Sequence, residues 1–147
     1  MILTPHILSG AAVASQISNP FAIVIVAMAT HHILDMIPHW DYDIHSSRRR
    51  AARKIALDIA IAGIITLFFI WNLSLEKQIH ILLGGFFGVL PDGFLFLYYA
   101  SGGKIFRRYI KFHHFWHQLI TKKEGGLSFI RVLPQIAVVI ISIYLLR

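Results

Sequence analysis

The sequence predicts an all-α integral membrane protein: a bundle of about five hydrophobic helices with an additional amphipathic helix at the membrane surface. Three observations predict it. Hydrophobic residues make up 56% of the 147 residues and charged residues 14%, against roughly 25% charge in a soluble domain. Five apolar stretches stand out, separated by turn signals. Lys and Arg crowd into alternate connections, the asymmetry that marks cytoplasmic loops. The length suits a single membrane domain, 1–147. A segment that crosses lipid must satisfy its own backbone, so the stretches are read as helices and not strands.

The first stretch, 3–17, is rich in small residues and shorter than the ~20 residues that cross a hydrocarbon core. The start, Met1 to His6, lacks the positive region of a secretory signal, so this stretch is expected to remain in the mature protein. Ser18-Asn19-Pro20 is a turn, with Pro20 suited to the first turn of a helix over 20–37 that Pro38 ends. Two further helices are expected over 52–73 and 76–100, and a last one over 127–146. Gly84 and Gly88 form a small-xxx-small pair and, with Gly85, predict close helix packing. Gly102-Gly103 and Gly125-Gly126 punctuate turns, and no glycine-rich phosphate loop is present.

If all five stretches cross, one side carries Arg48, Arg49, Arg50, Arg53, Lys54, Lys104, Arg107, Arg108, Lys111, Lys122 and Lys123. The other side has Lys77 and Arg147. The basic side is therefore placed in the cytoplasm of a prokaryotic inner membrane, with several passes. This topology accounts for the net charge of +7, which removes the argument for nucleic acid. Over 104–120, Lys104, Arg107, Arg108 and Lys111 recur at i, i+3, i+4 and i+7, with Phe106, Tyr109, Ile110, His113 and His117 on the other side. That pattern fits a helix lying on an anionic lipid surface.

The chemistry is expected from histidine and aspartate. The chain has no cysteine, which excludes disulfides and thiolate metal sites, but it has 9 histidines. His6, His31, His32, Asp35, His39, Asp41, Asp43, Asp58, Asp92, His113, His114 and His117 all fall toward the basic side when the helices are followed up and down. Only His80 lies opposite, and His45 is a loop residue. His31 and Asp35, like His113 and His117, are spaced i, i+4 and share a helix face. An ionised carboxylate within a span costs at least about 2.5–3.5 kcal/mol. No Lys or Arg lies beside Asp35 or Asp92 to offset it, whereas imidazoles and a bound cation would. The expected metal ligands are His6, His31, Asp35, His39, Asp92, His113 and His117, with one or two divalent ions. Imidazole with carboxylate suits Zn²⁺, with Mn²⁺ or Fe²⁺ as alternatives, better than copper(I). Asp58 and Asp41 are the spare carboxylates for general acid–base work, although Asp58 also stands at ion-pair spacing from Lys54. Arg48, Arg107 and Arg108 are expected to hold a substrate phosphate.

The run His31-His32-Ile33-Leu34-Asp35-Met36-Ile37-Pro38-His39-Trp40-Asp41 resembles the His-x-x-x-Asp…Pro-His-x-Asp signature of small prokaryotic inner-membrane metal-dependent hydrolases, the YdjM-like group. His6-x-x-x-Gly10, Leu90-Pro91-Asp92 and His113-His114-Phe115-Trp116-His117 resemble that group's other motifs in the same order. The late motif departs from the group's His-Arg-Gly-x-Thr-His-Ser and keeps only the flanking histidines, which leaves His113 and His114 as alternatives.

The resemblance implies a hydrolase, and the setting suggests a membrane lipid or lipid-linked phosphoester as substrate. A non-enzymatic, metal-stabilised scaffold is the alternative, and a metal or proton transporter ranks third. No Ser/His/Asp triad is formed, since Ser101 and Ser128 have no assigned partners.

Overall fold

A computed structural model describes residues 1–41, 48–120 and 129–147, with only the backbone of Arg48. Six α-helices and no strand occur among these residues: α1 (Leu3–Ser15), α2 (Pro20–Met36), α3 (Arg48–Ile70), α4 (Leu75–Ala100), α5 (Arg107–Gln118) and α6 (Phe129–Leu146). The Asn19 carboxamide caps α2 by accepting from Phe21 N at 2.9 Å and Ala22 N at 3.2 Å, with Pro20 in the first turn. Ile37 is extended before Pro38, which ends α2.

Among the described residues two helices, α4 and α6, are long and apolar enough to cross a membrane. α1 spans 13 residues, roughly 20 Å, and α2 spans 17, roughly 26 Å, so both fall short of a ~30 Å hydrocarbon core by themselves. α3 has the length but carries Arg48, Arg49, Arg50, Arg53, Lys54 and Asp58 in its first half. The outward surface is strongly apolar, with Phe21, Ile25, Ile64, Phe68, Trp71, Phe86, Phe96, Phe129 and Ile140 all exposed.

α1 is the buried hub and packs against α4, α6, α2 and α3. Its approach to α4 is a backbone contact across glycine. A Cβ on Gly88 would meet the His6 carbonyl oxygen at 2.5 Å, and one on Gly84 would collide with Gly10 and Ala14. The pairing expected of Gly84 and Gly88 is thus realised against α1. An apolar cluster of Leu8, Ala11, Ala12, Ile70, Ile81 and Leu146 joins α1, α3, α4 and α6.

α5 begins at Arg107 and not at the expected 104. Gly102 and Gly103 turn through φ +67° and +80°, and Phe106 adopts φ 58°, a left-handed conformation that interrupts a helix. Lys104 therefore lies outside the basic helical stripe. α5 packs on α2 and α4. Residues 127 and 128, expected to open the last helix, lie outside the described residues, as do Asp43 and His45.

Candidate metal centre

Four helices bring their polar residues to one place. α1 supplies His6 and α2 supplies His31 and Asp35, while α5 supplies His113; none of these four is more than 1% exposed. α4 adds Asp92, one residue after Pro91, and α5 also adds His117. The segment after α2 adds His39.

Asp35 lies at the middle. Its Oδ1 is 3.1 Å from His6 Nε2 and 3.2 Å from the Met1 ammonium. Its Oδ2 is 2.9 Å from His31 Nε2, 3.1 Å from His117 Nε2 and 3.9 Å from His113 Nε2. Asp92 Oδ1 lies 3.9 Å from His31 Nε2 and 3.7 Å from His113 Nε2. A tetrahedral ion with 2.0–2.2 Å bonds sets its ligand atoms about 3.3–3.6 Å apart. The separations among His31, Asp35, Asp92 and His113 bracket that value, and their four ligand atoms lie within 4.8 Å of one another.

The hydrogen bonding fits the same purpose. His31 Nδ1 lies 2.8 Å from the Gly88 carbonyl oxygen, and His39 Nδ1 lies 2.7 Å from that of Ile37. A backbone carbonyl only accepts, so each Nδ1 carries a proton and Nε2 is the nitrogen each ring has left for a carboxylate or a metal. His6 Nε2, His31 Nε2, Asp35 Oδ2 and Asp92 Oδ2 are buried and make no hydrogen bond outside the cluster; they meet only its other imidazoles and carboxylates. Buried imidazoles and carboxylates that meet at one point form a group that could hold a cation. Burial holds the His113 imidazole down at about 3 and, ahead of the nearby N-terminal charge, His39 at about 4. Both are therefore neutral at physiological pH, the form that ligates a metal.

Of the expected ligands, His31, Asp35, Asp92 and His113 form one group, and Asp35, His39 and His117 form a second. His6 stacks on His31 with ring centroids 4.0 Å apart and meets Asp35 from the other carboxylate oxygen. His113 is buried and turned toward the carboxylates, whereas His114 is exposed.

Asp58 has a different placement. Its Oδ2 accepts from Leu3 N at 2.6 Å and Thr4 N at 3.0 Å, and its Oδ1 accepts from the Thr4 hydroxyl. It caps α1 from a neighbouring helix. Asp41 is exposed at the edge, with Oδ2 3.9 Å from the Met1 ammonium. Arg107 and Arg108 are exposed at the start of α5, and the Arg48 side chain lies outside the described residues.

Two participants lie outside the expected ligand set. His32 joins His31 and His113 in a third candidate group, packs face to face with Trp116 and lies 3.4 Å from the Tyr109 hydroxyl. Its adjacency to His31 was the available signal. Gln135 of α6 accepts from Ile2 N at 3.3 Å and donates to the Trp40 carbonyl at 3.2 Å, tying both segments that flank the cluster. Nothing in its apolar surroundings announces that role.

Compared with family models, with curated proteins and with solved structures, the chain matches none. The functional reading therefore rests on the residues and their geometry.

Proposed function

We propose that this chain is a membrane-embedded, metal-dependent hydrolase of the YdjM-like kind, acting at the cytoplasmic face on a lipid-linked phosphoester. The observation that carries this reading is the buried group of His31, Asp35, Asp92 and His113, whose four ligand atoms converge within 4.8 Å of one another. The apolar outer surface supports a lipid setting, since a soluble protein seldom exposes so many large hydrophobic residues. In the proposed topology α4 and α6 cross the membrane, α3 inserts with its arginines at the cytoplasmic surface, and α1 and α2 complete the bundle.

A divalent ion held within this cluster of imidazoles and carboxylates, Zn²⁺ by the chemistry of the donors, would supply Lewis-acid polarisation of a phosphoryl oxygen and a more acidic water. Arg107 and Arg108, exposed at the start of the helix that carries His113, are placed to engage the remaining phosphate oxygens. Asp41, half-exposed at the edge of the cluster, is assigned the proton of the attacking water. The new bond joins the water oxygen to phosphorus, the ester bond to the lipid-linked oxygen breaks, and the proton passes to that leaving oxygen. Asp35 and the imidazoles hold the assembly in register.

Protein purified without added metal is expected to contain a transition metal and to hydrolyse at least one substrate in a panel of phospholipids and polyprenyl phosphates. Asp35→Ala and His117→Ala are expected to abolish turnover. Absence of bound metal, or turnover unchanged in both variants, refutes the reading. The near-complete burial of His6, His31, Asp35 and His113 also favours a second reading, an ion that only holds the helices together. That reading predicts a metal-loaded, chelator-sensitive bundle with no activity across the same panel.

A further inference from the structure

The geometry points to two ions with different jobs, bridged by Asp35: a closed, structural one and an open one that meets the substrate. This inference rests on the metal-dependent reading above and divides it. The first group, His31, Asp35, Asp92 and His113, offers four protein ligands from three helices and is almost wholly buried. Four protein ligands fill a tetrahedral ion, which is the signature of a structural site.

That sphere has no room for His39 and His117, yet both converge on the same carboxylate. His117 Nε2 is 3.1 Å from Asp35 Oδ2, the His39 and His117 rings lie 5.1 Å apart, and one ligand atom from each of the three residues falls within 4.8 Å of the others. A carboxylate has about four lone-pair positions and can serve two cations. The His39 ring is fixed by its Nδ1 contact with the Ile37 carbonyl, which leaves Nε2 as its ligating nitrogen. This second group has three protein ligands, the number that leaves a coordination position for water or phosphate. It is also the accessible one. His117 is 17% exposed, His39 is partly exposed, and both lie on the flank that continues to the exposed Asp41.

His113 and His117 divide along the same line. They sit one turn apart on α5 with Nε2 atoms 3.1 Å from each other. That is hydrogen-bond distance, one Nε2 donating to the other. An ion on each nitrogen would take the place of that shared proton.

The test is metal stoichiometry on the full-length protein in detergent, read by elemental analysis, with Co²⁺ titration of metal-depleted protein followed by visible absorption. Wild type is expected to hold two ions per chain and to fill in two phases. The double variant H39A/H117A is expected to hold one ion and to remain folded without turnover. One ion in wild type, or two retained in H39A/H117A, overturns the bridged pair, and phosphoester turnover by that protein keeps the hydrolase reading standing without it. No ion in wild type overturns both. If H39A/H117A does not fold, the wild-type Co²⁺ titration decides: two phases support the pair and a single phase overturns it.

Discussion

Gly88→Ala is the sharpest probe of how packing governs the cluster. The added methyl would lie 2.5 Å from the His6 carbonyl oxygen and 3.1 Å from Gly10 Cα, both backbone atoms of α1. Ordinary contact begins at 3.4 Å, so α1 and α4 must separate by about 0.9 Å. Overpacking of this kind costs about 1–3 kcal/mol. The better helix propensity of alanine returns about 1 kcal/mol, leaving a net loss of about 0–2 kcal/mol. The same shift acts on the site twice, because His6 lies on the displaced turn and the Gly88 carbonyl fixes His31 Nδ1. Loss of such a supporting contact lowers metal affinity about 10–100-fold. Gly85→Ala is the control. Its nearest neighbour would be the Ile7 carbonyl oxygen at 3.4 Å, so it is expected to be neutral or to stabilise by up to about 1 kcal/mol. Thermal unfolding in detergent and a Zn²⁺ competition titration measure both quantities. Wild-type stability together with wild-type affinity in Gly88→Ala would refute the argument that glycine contacts set the cluster geometry.

Asp58→Ala is expected to destabilise by about 1–2 kcal/mol through loss of the α1 cap while metal content stays unchanged; full stability with lost turnover would return Asp58 to a chemical role. Chelation is expected to lower the unfolding midpoint and readdition of Zn²⁺ to restore it, since an ion at 1,000 times its Kd stabilises by about 4 kcal/mol; an unmoved midpoint argues against any structural ion. His113→Ala is expected to lose bound metal and His114→Ala to keep it, because only His113 faces the carboxylates; equal losses would contradict the orientation of α5. Arg107→Ala combined with Arg108→Ala is expected to raise KM for an anionic substrate with kcat largely kept, and an unchanged KM removes both from phosphate binding.

Much of the site was legible because its chemistry is local and expensive. Carboxylates in apolar helices demand partners, and the i, i+4 spacings of His31 with Asp35 and of His113 with His117 could be read directly. The helical class was equally legible from hydropathy and turn residues. The five-crossing expectation was not supported at full strength, because hydropathy measures apolarity and not orientation. α1 reads as a membrane segment, yet its small residues serve to bury it against α4 and the other helices. Asp58 was read from its position near the cytoplasmic end, and nothing local reveals that it reaches across to the first amides of α1.

By itself the sequence determined an all-helical chain, the places where its helices break, and a set of imidazoles and carboxylates that cannot remain unpartnered in an apolar setting. These follow from backbone hydrogen bonding and the cost of burying charge, which depend on composition and spacing alone. Only the tertiary structure decided which oxygen of Asp35 faces which histidine, that His113 turns inward while His114 does not, and that glycine lets α1 approach α4 closely enough to bring His6 to His31. Those outcomes depend on contacts between helices distant in the chain, where a shift of one ångström separates a metal cradle from a scatter of buried polar groups.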